Sequence, residues 1–238
     1  MHPQDLDLLD KTGVTGRNDV ERAILSRRSV RAFTADEPPH ELVDHILQVA
    51  ARAPSGTNMQ PWHVYVVTGH TRERLVDRLQ RAHAEKEEAQ PEVPYYPQEF
   101  IEPYGARRRT VGKQLYSAIG IPKGDAERMH EQHGRNFAFF DAPVGLIFTI
   151  DRRLAVGSWL DYGMFLQAVM MAARAQGLHT CAQAAFARMH RAIREILPIS
   201  AQEIVVCGMA LGHADFSAPE NCFVTGRMPP SEYIRHFD

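Results

Sequence analysis

Two stretches decide the reading of this chain: RRSVRAF at residues 27–33 and APSGTNMQPWHVYVVT at residues 53–68. Asn18 is placed to cap a helix over Val20–Arg28, and Arg27 and Arg28 close it, where cations suit the helix dipole. If the chain runs extended over Ser29–Phe33, then Arg27, Ser29 and Arg31 alternate onto one side. Two guanidiniums and a hydroxyl then converge. That set suits a phosphate and an electron-rich ring, because the arginine fork bonds two oxygens at once. The same residues also fit a solvated basic helix end. In the second stretch, Pro54-Ser55-Gly56-Thr57-Asn58 ends a helix over His40–Ala53 that Pro38 and Pro39 introduce. Its small residues and free N–H groups can approach a flat ligand closely, and they equally fit an ordinary helix-to-strand turn. Trp62–Thr68 reads as a central strand.

Further along, Thr71–Glu88 is a charged helix with Leu75, Val76 and Leu79 inward. Gln90–Gly105 carries Pro91, Pro94, Pro97 and Pro103 with Tyr95, Tyr96 and Tyr104, and has no periodicity. Loops of that length inside a domain are usually functional lids or disordered segments. Helices over Ala106–Ala118 and Asp125–Phe139 lead into a buried strand, Ala142–Asp151. A long apolar helix, Ser158–Gln176, is closed by Gly177. A helix over Ala187–Leu197 stops at Pro198, Glu203–Leu211 reads as another buried strand, and the chain from Ala214 is extended. Strands separated by helices give an α+β class.

Composition narrows the function. Among 238 residues, 27 Lys plus Arg face 29 Asp plus Glu, for a formal charge of −2. That balance offers no general attraction to nucleic acid. With 44% hydrophobic residues there is ample material for a core. Cys181, Cys207 and Cys222 form no CxxC pair and read as small hydrophobes in a reducing compartment. No run suits a membrane span or a secretion signal, so a cytoplasmic protein is expected.

Together the two stretches resemble the N-terminal signature of the FMN-dependent nitroreductase family. APVGLIFTID at 142–151, GLHTCAQAAF at 177–186 and Gly226-Arg227-Met228-Pro229 extend the resemblance over roughly residues 20–230, towards the 4-nitrobenzoate reductase-like subgroup. It implies a mixed sheet flanked by helices in an intertwined homodimer. One domain would span 1–238, with 89–139 as an insertion covering the site and 214–238 as a tail docked on the partner subunit. FMN would be the cofactor, and a ping-pong cycle would carry hydride from NAD(P)H through flavin N5 to a nitroaromatic. The superfamily also contains reductases of quinones, activated alkenes and halogenated aromatics. A flavin-binding protein without turnover is a further alternative.

The resemblance also implies residue roles. Arg27 and Ser29 would hold the phosphate and ribityl end, joined by Arg227, and Arg28 would belong to the cofactor-binding set. Arg31 would sit by the N1–C2=O edge, where a fixed cation favours the reduced ring. Pro54, Ser55 and Asn58 would come from the second subunit. A backbone N–H around Gln183, Ala184 and Ala185 would face N5, although relatives often have Pro, Glu and Gly in that stretch. Gln114 would reach the flavin from the helix after the long loop.

Other candidates fit blander readings. His130 and His133 suit a solvated helix face better than a metal site, because HEQH lacks the HExxH spacing. Arg107-Arg108-Arg109 is a charged helix face or a border of the site mouth that attracts a carboxylated aromatic or NADPH phosphates. Met164, Phe165, Met170 and Met171 read as core or dimer seam. A GxGxxG fingerprint is absent, so a nicotinamide cofactor would visit as a substrate.

Overall fold

The computed structural model describes residues 3–87 and 90–238. Its helices are α1 (Pro3–Asp10), α2 (Asp19–Ser26), α3 (His40–Ala50), α4 (Gly69–Ala84), α5 (Tyr104–Ala118), α6 (Ala126–Gly134), α7 (Val156–Ala175), α8 (His190–Ile196) and α9 (Pro230–Tyr233). Strands β1 (His63–Val67), β2 (Val144–Asp151), β3 (His179–Gln183) and β4 (Glu203–Gly212) form one sheet in the order β1-β2-β4-β3. All neighbouring strands are antiparallel. An isolated bridge from Ser29 to Thr180 supplies the parallel component, and Phe33 bridges Ala214 antiparallel.

The sheet is the middle of three layers, which accounts for the apolar runs in β2 and β4: both are buried along nearly their whole length. Val144, Leu146, Phe148 and Ile150 face α3 and α7, where Val43, Ile46, Phe165 and Val169 meet them. Ile147 faces the other layer with Leu75 and Leu79 of α4 and Ile193 of α8. A β-bulge between Phe148 and Thr149 shifts the register with β4, so that Val206 and Cys207 both lie in the α3/α7 cluster.

Two glycines shape the α4 face. A Cβ on Gly145 would lie 2.5 Å from Phe139, and one on Gly208 would lie 2.6 Å from Phe186. Their absence lets the two rings lie flat on the sheet, 4.7 Å apart. Phe186 belongs to the short 3₁₀ turn Ala184–Met189, so the Gly208 contact also places the segment that follows β3.

Several sequence expectations need correction. Trp62–Thr68 is an edge and not a central strand: β1 pairs only with β2 among the described residues, and His63 and Val66 are exposed. The apolar run is explained by partial cover on both faces: Trp62 stacks on Phe165 at 4.5 Å and Val64 joins the α3/α7 cluster, while Tyr65 and Val67 meet the α4/α8 cluster. Helix α2 stops at Ser26, and Arg27 already has extended angles (φ −67°, ψ 129°), which lets the chain reach Thr180. The helix expected over 125–139 ends at Gly134 and becomes a 3₁₀ segment, Arg135–Asp141, with Phe139, Phe140 and Asp141 at positive φ. Burial of three phenylalanines against the sheet outweighs continuation of the helix. Met1, His2, the proposed helix end at Glu88 and the first insertion residue, Ala89, lie outside the described residues.

Candidate functional site: an arginine cradle

Arg27 caps α2 through its own N–H, which donates to Ala23 O at 3.1 Å. The chain then pairs with β3: Val30 N–H donates to Thr180 O at 3.1 Å, beside the Ser29–Thr180 bridge. From the other side, Asn221 clamps this segment. Its Oδ1 accepts from Arg31 N at 2.8 Å, and its Nδ2 donates to Ala32 O and Asp215 O, each at 2.8 Å. Residues 214–222 of the tail therefore dock on the chain's own Arg31–Phe33 segment.

These elements enclose a cavity of about 670 Å³ lined by Arg27, Arg28, Ser29, Arg31 and Arg227, with Lys11 and Gln167 nearby. That volume suits a ligand of cofactor size. Expected alternation set Arg28 apart from Arg27, Ser29 and Arg31; the turn at Arg27 brings Arg28 to the same cavity. Burial and the neighbouring Arg227 cation push the Arg27 guanidinium down from its ordinary pKa. Arg28 is pushed down by burial, against the pull of Asp5. Its Nη1 donates to Asp5 Oδ1 at 3.1 Å, whereas its buried Nε and Nη2 make no hydrogen bond. Glu220 is the one carboxylate lining the cavity among the described residues, and Arg135 binds it. Cys181 lies against Ser29 and Arg31, and burial raises its thiol pKa, so it stays protonated and inert.

The other expected residues lie outside this cavity in the single chain. Pro54 and Asn58 are exposed and Ser55 is half-buried, on a loop in which Thr57, Asn58 and Gln60 have φ of 49°, 60° and 50°. Asp161 on α7 ties that loop down by accepting from Gly56 N at 3.1 Å. Gln114 is exposed on α5. The Gln183 amide nitrogen donates to the Asn136 carbonyl at 2.7 Å, while its buried Oε1 makes no hydrogen bond; Ala184 and Ala185 are half-buried. Arg107 reaches the cavity rim by donating to Met228 Sδ at 2.9 Å. His130 stacks on buried His83 at 3.9 Å, and no metal-holding group of His, Cys, Asp or Glu exists among the described residues.

Sequence reasoning missed Asp5, Asn221 and Glu220. Asp5 reaches Arg174 and His179, Asn221 reaches Arg31, and Glu220 reaches Arg135, each across more than eighty residues of chain, so local pattern carries no signal for those contacts.

The sheet order, the two-sided core and a cradle of guanidiniums at a helix-to-strand turn define a class of anion-binding α+β protein. The class resolves further by comparison. A model described as Nitroreductase family matches residues 24–213, and the chain belongs to that family. It is 42% identical over 215 residues to a nitrobenzene nitroreductase of Ectopseudomonas oleovorans, covering 90% of this chain and 95% of that one. It is 41% identical over 220 residues to a 4-nitrobenzoate reductase of Pseudomonas putida, covering 92% and 94%. Among solved structures, the FMN- and NADPH-dependent nitroreductase NfnB of a Sphigopyxis strain superimposes with a TM-score of 0.88 at 34% identity, covering 93% of this chain and all of that one. The FMN-dependent NfnB of Mycobacterium smegmatis, in complex with NADPH, gives 0.88 at 32% identity, covering 92% and 97%. No described helix is long and apolar enough to cross a membrane.

Proposed function

We propose that the chain is an FMN-dependent NAD(P)H nitroreductase that reduces small nitroaromatics. The observation that carries this reading is the cradle: Arg27, Arg28, Arg31 and Arg227 line one cavity, and two buried Arg28 nitrogens have no protein acceptor. The half-buried Arg27, Ser29 and Arg31, with Arg227, offer charged and hydroxyl donors to an anionic oxygen in that cavity. The residues present therefore fit a phosphorylated flavin. Arg27, Arg28 and Ser29 would hold its phosphate and ribityl end with Arg227, and Arg31 would hold the electron-rich edge of the ring. Bound FMN supplies the hydride chemistry, while the protein contributes orientation, exclusion of water and fixed positive charge.

In this reading the working unit is a cytoplasmic homodimer, with Pro54, Ser55, Asn58 and the tail beyond residue 222 meeting the partner subunit. It is supported by apolar side chains on the outer face of α7, where Val156 is 84% and Leu160 71% exposed. Gln114 and the backbone at Gln183, Ala184 and Ala185 would border the ring. The long loop is fixed at its start by Glu92, which pairs with Arg152 and Arg194 at 2.9 and 3.2 Å. The remainder of 90–118 would cover the site.

Anaerobic spectroscopy tests the reading directly. The purified protein should show a flavin spectrum, release FMN on heating, bleach with NADPH or NADH and recover its colour on adding 4-nitrobenzoate or nitrobenzene. A colourless protein that takes up no added FMN overturns it.

A further inference from the structure

We propose that Asp5, on the N-terminal helix α1, is a positioning residue that sets the phosphate end of the cradle. The proposal rests on the reading of Arg27–Ser29 as that end. Helix α1 lies outside the segment matched by the family model, which begins at residue 24, and yet Asp5 is only 1% exposed. Its carboxylate gathers three elements. Oδ1 accepts from Arg28 Nη1 at 3.1 Å and from His179 Nε2 at 3.2 Å, and Oδ2 accepts from Arg174 Nη2 at 2.7 Å. Arg28 and His179 immediately precede Ser29 and Thr180, the bridged pair that carries the cradle segment onto β3. Arg174 in turn donates through Nε to Ser26 Oγ at 3.0 Å, at the last residue of α2. One carboxylate thus holds both sides of the junction from which Arg27, Arg28 and Ser29 project.

The arrangement also fixes which donors of Arg28 remain free. With Nη1 committed to Asp5 and the guanidinium held 5.3 Å from the Phe216 ring centroid, Nε and Nη2 are the nitrogens left without a partner. His179 Nδ1 accepts from Ala214 N at 3.3 Å, so its proton sits on Nε2 and faces Asp5. Removing the Asp5 charge would leave two buried guanidiniums without their carboxylate.

Field and geometry predict opposite outcomes here, and that makes the proposal testable. On charge alone, Asp5→Asn makes the cradle more positive and should tighten a phosphate. On positioning, it frees Arg28 and should weaken that phosphate. The test is the affinity of the full-length chain for FMN and for riboflavin, which lacks the phosphate, by flavin fluorescence quenching. Asp5→Asn is expected to raise the Kd for FMN about tenfold, the scale of one charged hydrogen bond, with riboflavin changed less than twofold. FMN binding that is unchanged or tighter, or an equal loss for both flavins, overturns the proposal, because a merely structural role would weaken both alike. Arg27→Ala serves as the separate check on the underlying reading. If it weakens FMN selectively while Asp5→Asn does not, the cradle stands and the Asp5 role falls; if it leaves FMN unaffected, the phosphate-end reading falls and this proposal with it. Should Asp5→Asn not accumulate as folded protein, Asp5→Glu keeps the charge on a longer stem. The same selective loss of FMN is then expected, and its absence counts against the role.

Discussion

Replacing Asp161 with alanine isolates what holds the Pro54–Asn58 loop. Thr57, Asn58 and Gln60 all sit in the left-handed region without being glycine. At about 1 kcal/mol each, the three store about 3 kcal/mol of backbone strain. Within the loop, Asn58 N donates to Ser55 O at 3.0 Å, Met59 N to Gly56 O at 3.1 Å, and Gln60 N to Ser55 Oγ at 3.0 Å. Those bonds shape the loop but do not attach it to the rest of the chain. Asp161 does, through Gly56 N at 3.1 Å, from a side chain buried on α7. A hydrogen bond to a charged acceptor contributes about 1.5–3 kcal/mol, comparable to the strain it opposes. Its removal should therefore release the loop. Asp161→Ala is expected to lower stability by about 2 kcal/mol, or about 4–8 °C in Tm for a domain of this size. If Ser55 and Asn58 hold the flavin, the Kd for FMN should rise about tenfold as well, because each 1.4 kcal/mol of lost binding is tenfold. Asp161→Asn keeps an acceptor and should lose less than half as much. Thermal melts with FMN titrations read both effects. Unchanged Tm and Kd in Asp161→Ala would refute the reasoning and leave the Trp62–Phe165 stack as the anchor.

Two further outcomes follow from buried contacts. Burial holds the His179 imidazole below its ordinary pKa despite the Asp5 hydrogen bond, with Arg174 and Arg28 adding to the depression; between that lowered value and about 6.5 the unfolded chain binds the extra proton. The His179 contribution to stability should thus be complete above about pH 6.5 and decline below it, so a Tm difference between wild type and His179→Gln that stays constant from pH 8 to pH 5 would contradict the argument. Gly208→Ala places a Cβ 2.6 Å from the Phe186 ring, an overpacking expected to cost about 1–3 kcal/mol; thermal denaturation should show the loss and Phe186→Leu should partly restore it, whereas a neutral Gly208→Ala would mean that the 184–189 turn moves freely.

Much of the fold is legible because burial on both faces writes itself into contiguous apolar sequence. β2 and β4 are such runs, and α7 is closed where Gly177 supplies φ of 79°. β3 is harder to see: HTCAQ is mostly buried, but its small and polar residues are satisfied by partners distant in sequence, Asp5 for His179 and Asn136 for Gln183. The same cause hides α1, whose Asp5 is held by Arg28, Arg174 and His179. Trp62–Thr68 misleads in the opposite direction, since an edge strand that meets both core clusters carries nearly the same apolar run as a central one. At the site, the alternation of Arg27, Ser29 and Arg31 is a local signal and can be read from five residues. The groups that hold the segment, Asp5 on Arg28 and Asn221 on the Arg31 backbone, come from the two ends of the chain. Nothing short of the folded topology brings them together.

The charge arrangement explains why a chain of formal charge −2 can hold a strongly cationic site. Its carboxylates are not spread evenly over its arginines. Asp5 is shared by Arg28 and Arg174, and Glu220 is taken by Arg135. Arg27, Arg31 and Arg227 have no carboxylate partner among the described residues, and they line the cavity together. Arg27 and Arg31 are half-buried and Arg227 is exposed, so water screens only part of the cost of gathering guanidiniums without counter-ions. Burial and Arg227 lower the Arg27 pKa, which is that cost expressed locally. Asp5 then has a place in the logic. It compensates the innermost charge while leaving the outer three without a carboxylate, so the fold tolerates the cradle without neutralising it. A carboxylate one turn closer to Arg27 would stabilise the empty protein and compete with the phosphate. In the proposed reading, the position of the acid, beneath the cradle and not within it, lets stability and anion binding coexist.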